Sequence, residues 1–477
     1  MIGWLILAAV VVLAAVLCLR AAQMKPNTEA YAPFTPVQVD AEKAVAHLAA
    51  MVRVPTVSNY DESLVDDAQF AAFRALLKTI YPKVHDVCAP VLCGKTGLLF
   101  HWKGKNAAAP VVLMAHYDVV PAEDEKWAHA PFCGDVIEGE LWGRGTLDTK
   151  ITLMGALEAA ETLIAQGFVP QNDIYFAFAG DEEVSGHGAT DIIAYLKQNN
   201  IKPAMVVDEG GAVVEGIFPG VKKPIAVIGI GEKGMMNVEI TAKSAGGHAS
   251  TPILPSAVGI MSKAVTNCEN HPFPAHITLP LRELLRTVGP HAPFGLRIVL
   301  ANLWCFGGFL CAFAGKLGGE INAMMRTTMA FTMAKGSKQI NVIPNEATAG
   351  LNMRLVNLDT PESVKRYLEK CIDNKKVTVR VTQAQAASPY AATTGEHWNV
   401  LASAVANTWQ GSIVSPYLMI ACSDSRHYAG FCDDVYKFSA MALSKEQRAL
   451  IHNDNERIPV ADIPKTVEFF LRLEQSL

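Results

Sequence analysis

The sequence predicts an α/β protein: a parallel-rich sheet covered by helices, interrupted by a smaller α+β unit and preceded by an apolar N-terminal helix. Three observations carry this expectation. Continuous apolar runs alternate with helical periodicity from Val111 onward, half-exposed alternation replaces them after Gly231, and Ile2 to Leu19 carries no charge. The 477 residues, 50% hydrophobic and 18% charged, are ample for two domains or one large one. Scattered through them, 26 prolines and 35 glycines exclude a polytopic helix bundle, a coiled coil and collagen. Apolar content excludes disorder. With 41 basic against 46 acidic residues, the net charge of -5 argues against a nucleic-acid partner.

Residues 2–19 would span about 27 Å as a helix, and Arg20, Lys25 and Pro26 follow. Nothing basic precedes the run, and the candidate cleavage site ending at Ala22 has Arg20 at its outer position. An uncleaved membrane anchor is therefore favoured over a signal segment. The rest of the chain is expected on the extracytoplasmic side, or secreted if the segment is cleaved; positive-inside counting from Arg20 and Lys25 alone points the other way. A second greasy stretch, Ile298 to Gly315, is interrupted by Asn302 and by glycines and makes a poor helix. It reads first as a buried insert or interface segment, and second as a contact surface for a greasy ligand or membrane. The ten cysteines show neither zinc-ribbon nor redox spacing.

Three apolar runs, PVVLMA (110–115), DIYFAFAG (173–180) and PAMVVDEG (203–210), read as buried strands. Between them, amphipathic periodicity predicts helices over 149–166, closed by Gly167, and over about 188–197. This βαβ order implies a parallel sheet covered on both faces. VEITAKSA (238–245) and TAGLNMRLVN (348–357) alternate like half-exposed strands around a helical stretch, which predicts a small α+β domain over 232–357 with an apolar insert near 291–315. The main domain would then be discontinuous, 35–231 and 358–477.

The strands end on chemistry. The first closes on His116-Tyr117-Asp118, the second on Asp181-Glu182-Glu183 and the third on Asp208-Glu209, while Asp148 stands just before the first helix. Ligands in open α/β sheets bind beyond the carboxyl ends of the strands. One histidine with several carboxylates suits zinc, with manganese or cobalt as alternatives. Singly, each has a bland reading: Asp148 as a helix N-cap, Asp181 to Glu183 as an acidic first turn, His116 as a hydrogen-bonded strand end, Asp208 as a solvated loop residue. Those readings do not explain their joint placement.

The motifs HYDVVP, LWGRGTLDTK, AGDEEVSG, VVDEGG, GGHAS, NVIP and IHNDNE, in that order from about Arg53 to Pro459, resemble the carboxypeptidase S, aminoacylase-1 and glutamate carboxypeptidase family of two-zinc metallopeptidases. The resemblance is strongest to the branch holding carboxypeptidase S and the N-fatty-acyl-amino-acid synthase/hydrolase. It implies a catalytic domain with a lid or dimerisation domain, and two Zn2+ per subunit. His116 and Asp208 would hold one ion, Glu183 and His452 the other, and Asp148 would bridge them. Asp118 would orient His116, and Glu182 would be the general base for a zinc-bridging hydroxide attacking an amide. His248 would stabilise the oxyanion, often across a homodimer; Asn341, Arg354 and Arg426 would meet the substrate carboxylate. The implied substrates are N-acyl amino acids, or alternatively short peptides. Two positions depart from the family pattern: Thr149 stands where an acidic or amide residue often follows the bridging aspartate in a cis peptide, and Asn453 replaces the usual glycine after His452. Asn tolerates a left-handed backbone better than most residues, so the replacement is expected to be compatible with activity.

Overall fold

Two sheets organise the chain in the computed structural model, which describes residues 1–26 and 31–477. In chain order their strands are β1 (Val91–Cys93), β2 (Gly97–Trp102), β3 (Asn106–His116), β4 (Asn172–Ala179), β5 (Met205–Val214), β6 (Ile225–Glu232), β7 (Gly234–Lys243), β8 (Thr328–Lys335), β9 (Glu346–Leu355), β10 (Val377–Gln385), β11 (Ile413–Met419) and β12 (Asp434–Leu443). The larger sheet runs β1-β2-β4-β3-β5-β12-β6-β11 and the smaller β8-β9-β7-β10. Pairs β3–β4, β3–β5, β5–β12 and β6–β11 are parallel, whereas β1–β2 and β2–β4 are antiparallel, so the sheet is mixed. The hairpin at one edge needs no crossover, which is why that edge escapes the parallel rule.

The helices used below are α1 (Ile2–Gln23), α2 (Lys150–Ala165), α3 (Gly188–Gln198), α4 (Ala257–Asn270), α5 (Leu279–Val288), α6 (Phe294–Ala301), α7 (Leu303–Ala312), α8 (Pro361–Ile372) and α9 (Ile463–Ser476). Residues Val111–His116 of β3 are all buried because helices cover both faces of the sheet. Ile192 and Leu196 of α3 pack on Val112, Tyr175 and Val206. On the other face α2 packs against α9 so tightly that a Cβ on Gly155 would stand 2.6 Å from Thr466 Cγ2. This doubled cover corrects the expected amphipathic pattern of α2: nearly its whole circumference is buried, Glu158 and Glu161 included. Glu158 is neutralised by Lys43 (2.7 Å) and His47 (2.8 Å), and Glu161 accepts backbone N–H groups from Lys83 and Val84.

The smaller sheet is antiparallel throughout, with alternate residues of β7 and β9 buried. Met236, Val238 and Ile240 meet Cys268 of α4 and Val364 and Leu368 of α8. Here the structure departs from the sequence expectation. Helix α8 and strand β10 lie beyond 357, yet they complete this unit, because β10 pairs with β7. Conversely, Leu281, Leu284, Leu285 and Val288 of α5, inside 232–357, join the core of the larger sheet.

Helix α1 is long and apolar enough to cross a membrane, and its side chains are exposed almost throughout. The greasy stretch lies beside its C-terminal end as α6 and α7, which bend by 96° at Asn302. The buried Asn302 amide donates to Leu17 O (3.1 Å) and Ile298 O (2.8 Å), and its oxygen accepts from Trp304 Nε1 (3.1 Å). Of the expected buried insert or interface segment, only the buried alternative is corrected by this break, which turns α7 outward and leaves Trp304 62% and Phe309 61% exposed.

Candidate active site

The carboxyl ends of β3, β4 and β5 are neighbours in the sheet, so His116, the 181–183 turn and the 208–209 segment converge. Asp148 lies at their centre. Its two oxygens face different imidazoles: Oδ1 is 3.2 Å from His116 Nε2 and Oδ2 is 2.9 Å from His452 Nε2. Each imidazole meets a second carboxylate, Glu209 Oε1 at 3.6 Å from His116 and Glu183 Oε2 at 3.1 Å from His452. One bridging carboxylate with a histidine and a further acid on either side is a donor set for two cations.

Supporting contacts orient these donors. His116 Nδ1 donates to Asp118 O (3.0 Å) and lies 3.3 Å from its carboxylate, which leaves Nε2 free to act as a ligand. The same carboxylate, fully buried, accepts from Ser58 Oγ (2.7 Å) and from the N–H groups of Glu182 and Glu183 (3.1 Å each), so it also sets the 182–183 turn. Asp148–Thr149 is a cis peptide, so Thr149 adopts the backbone geometry the motif implied. The left-handed residue at the last donor is His452 itself, with φ 62°, rather than Asn453.

The electrostatics follow from crowding acids around two imidazoles. Burial pulls the His116 imidazolium down, but Glu209, Asp118 and Asp148 outweigh it and hold the group well above the histidine range. Bonds to Asp148 and Glu183 lift His452 to about 10. Asp148 stays well below the usual carboxylate range despite its burial, because both imidazoles bond to it. Glu182 and Glu209 are pushed well above that range, chiefly by burial, with His116 opposing and neighbouring acids adding. Negative charge with too little compensation draws cations.

Asp208 is placed differently from the sequence reading. One oxygen of its carboxylate accepts Ser425 N–H (2.8 Å), and its neighbour Glu209 is the acid within 3.6 Å of His116. The cause is a break in register: Asp208 pairs with Lys437 and Gly211 with Phe438, so Glu209 and Gly210 are looped out of the ladder. Gly210 takes φ 145° there, and a Cβ on it would stand 2.8 Å from Lys437 Cβ. Arg426 is buried, 3.7 Å from both Glu182 Oε1 and Asp424 Oδ1. Arg354 lies next to this loop, its Nη1 2.8 Å from Cys422 Sγ. His248 and Asn341 are exposed and join each other in the smaller unit, where the ladder 247–248/342–343 and the bond from Ala249 N to Asn341 O tie them together. No contact among the described residues brings either to the carboxylate cluster.

Sequence reasoning also passed over Asp424 and Glu456. Burial raises Asp424 to about 7 against the pull of Arg426, beside Glu182. Glu456 Oε1 accepts from the backbone N–H of Gly145, Leu147 and Asp148, and Oε2 meets Arg144 Nη1 at 2.7 Å, so it fastens the Asp148 loop. Its position in IHNDNE was the available signal.

The sequence profile of peptidase family M20/M25/M40 matches residues 112–475, which contain every donor above. The chain belongs to this family. It is an enzyme of the amidohydrolase and peptidase type, a metallohydrolase of a family whose members are typically dinuclear zinc enzymes. A probable carboxypeptidase S-like 2 of Dictyostelium discoideum is 34% identical over 85% of this chain and 79% of its own length. The N-fatty-acyl-amino acid synthase/hydrolase PM20D1 of Xenopus tropicalis is 32% identical over 91% of this chain and 86% of its own. Among solved structures, an M20 family metallo-carboxypeptidase of Sulfolobus solfataricus superposes with a TM-score of 0.66 at 17% identity, covering 91% of this chain and 98% of the other. Human carnosine dipeptidase 1 follows at 0.61 and 14%, covering 91% and 96%; both likenesses concern the fold alone.

Proposed function

We propose that this enzyme makes and breaks the amide bond between an acyl group and an amino acid whose carboxylate is free. The observation that carries the reading is the Asp148-centred cluster with Glu182 half-buried beside it, taken with the relative that handles N-fatty-acyl amino acids. His116 and Glu209 would hold one metal ion and His452 and Glu183 the other, with Asp148 between them. Glu209 replaces Asp208 in this assignment because it is the side chain that faces His116. Two zinc ions, when bound, supply Lewis acidity and an acidified water.

Glu182 accepts the proton of the water that attacks the amide carbon and delivers it to the leaving amine. Asp118 holds the backbone that carries Glu182. Arg354, beside Cys422, and Arg426, near Glu182, would meet the substrate carboxylate. His248 and Asn341 would complete the site from a second copy of the chain, since their own smaller unit leaves them exposed. The smaller unit would then act in dimerisation, and α1 would anchor the enzyme in a membrane with the folded part extracytoplasmic.

The test is a panel of N-acetyl and N-oleoyl amino acids and dipeptides, assayed with the full chain and with Glu182→Gln. Glu182→Gln should lower hydrolysis of N-acyl amino acids about 100- to 10,000-fold with metal content unchanged. Unchanged turnover removes Glu182 from the role. Faster cleavage of dipeptides than of any N-acyl amino acid replaces the reading by a peptidase acting on short peptides, which the carboxypeptidase-like relative favours.

A further inference from the structure

A cavity of about 730 Å³ opens between the C-terminal end of α1 and helices α5 to α7, remote in residue content from the carboxylate cluster. Its lining combines three arginines, Arg20, Arg282 and Arg286, with apolar walls that include Met24, Leu300 and Trp304. Arg20 Nε donates to Ala301 O at 3.4 Å, and Arg286 Nη1 lies 3.4 Å from Glu283 Oε1. Among the described residues, neither Arg20 nor Arg282 forms an ion pair with a carboxylate. Among the described residues the cavity therefore gathers more positive charge than its one ion pair offsets, beside apolar walls, a combination that suits an amphiphilic anion.

Its position adds the second argument. Arg20 is the first charge after the uncharged run of α1, so in a bilayer that takes up α1 it stands at headgroup depth. Trp304, which lines the cavity with Arg20, is exposed, as are Phe309 and Phe313 further along the same stretch, and tryptophan concentrates at that same depth. Guanidinium groups bind phosphate oxygens in pairs, and basic pockets beside membrane helices take acidic headgroups. We propose that this cavity binds the headgroup of an anionic membrane phospholipid, whose acyl chains lie along α1 and the aromatic face of α7; the inference rests on reading α1 as embedded in the membrane.

The test titrates the full chain in neutral detergent with dihexanoyl-phosphatidylglycerol by calorimetry. Dihexanoyl-phosphatidylcholine, inorganic phosphate and N-oleoylglycine serve as the comparison ligands. Phosphatidylglycerol should bind at least tenfold tighter than phosphatidylcholine. The doubly substituted Arg282→Gln/Arg286→Gln chain should lose that preference at least tenfold, and Arg282→Lys/Arg286→Lys should keep most of it. Equal binding of the two lipids, or undiminished preference in the glutamine variant, overturns the proposal. Inorganic phosphate binding as tightly as phosphatidylglycerol reduces the cavity to an anion site and also overturns it. So does displacement of phosphatidylglycerol by tighter-binding N-oleoylglycine, which would make the cavity a substrate site. Flotation with neutral phosphatidylcholine vesicles tests α1 separately, and wild type and variants should all float. A wild-type chain that stays behind refutes the anchoring reading, while the calorimetric comparison still decides on the cavity.

Discussion

Removing the Glu456 carboxylate should loosen the whole centre from a position that touches no substrate. Glu456 is fully buried, and its two oxygens divide the work. Oε1 accepts backbone N–H groups from Gly145 (3.1 Å), Leu147 (2.7 Å) and Asp148 (3.3 Å), while Oε2 pairs with the buried Arg144 at 2.7 Å. In Glu456→Ala, three donors lose their acceptor at about 1 kcal/mol each. Arg144 is also left as an unpaired buried cation, a break that costs about 3–5 kcal/mol. The two effects share one carboxylate, so the expected loss is about 4–6 kcal/mol rather than their sum. Glu456→Gln keeps an oxygen for the backbone donors but removes the charge opposite Arg144, and should cost about 2–3 kcal/mol. Denaturant midpoints of the metal-free proteins check the order wild type, Gln, Ala. Zinc affinity should fall in the same order, because Asp148 hangs on that loop. If Glu456→Ala lies within about 1 kcal/mol of wild type, or no less stable than Glu456→Gln, the division between the two oxygens is wrong.

Metal analysis separates the two neighbouring acids at the end of β5. Glu209→Gln should lower bound zinc from two ions toward one, whereas Asp208→Asn should keep both and loosen the 423–426 loop that Asp208 holds through Ser425; the opposite pattern restores Asp208 as the ligand. Stability should also depend on Lys233, whose Nζ donates to Ala323 O and Arg326 O. Burial, with Arg354 adding, holds this ammonium down at about 7. Between that value and an ordinary lysine near 10.4 the unfolded chain keeps a proton that the folded chain releases, so stability rises with pH across the window. Lys233→Met should remove its share, up to about 1.4 kcal/mol per pH unit, between pH 7.5 and 8.5, and an unchanged slope in denaturation experiments would count against it.

Much of the candidate centre was legible because most of its acids and His116 end an apolar strand or precede a helix, whereas His452 lies in a turn and was named only through the resemblance. A run such as PVVLMAH tells both where β3 lies and that His116 leaves it at the ligand-binding edge. Glu209 was not legible. Strand alternation assigns side chains to faces only while the register holds, and the two-residue loop opposite Lys437 and Phe438 brings Glu209 within reach of His116. The domain boundary failed for a related reason. Residues 377–385 alternate no more tellingly than other half-exposed strands, and only their pairing with β7 assigns them to the smaller sheet.

By itself, then, the sequence determined the α/β class, the apolar N-terminal helix and the acids and histidine that end successive strands, because these depend on periodicity and on residue chemistry along short stretches. Tertiary structure alone decided that Glu209 meets His116, that Glu456 supports Asp148 from 308 positions away, and that Trp304 of α7 lines a cavity with three arginines. Those outcomes depend on bulges, buried pairs and helix breaks. Their energies arise between segments distant in the chain, so no local pattern encodes them.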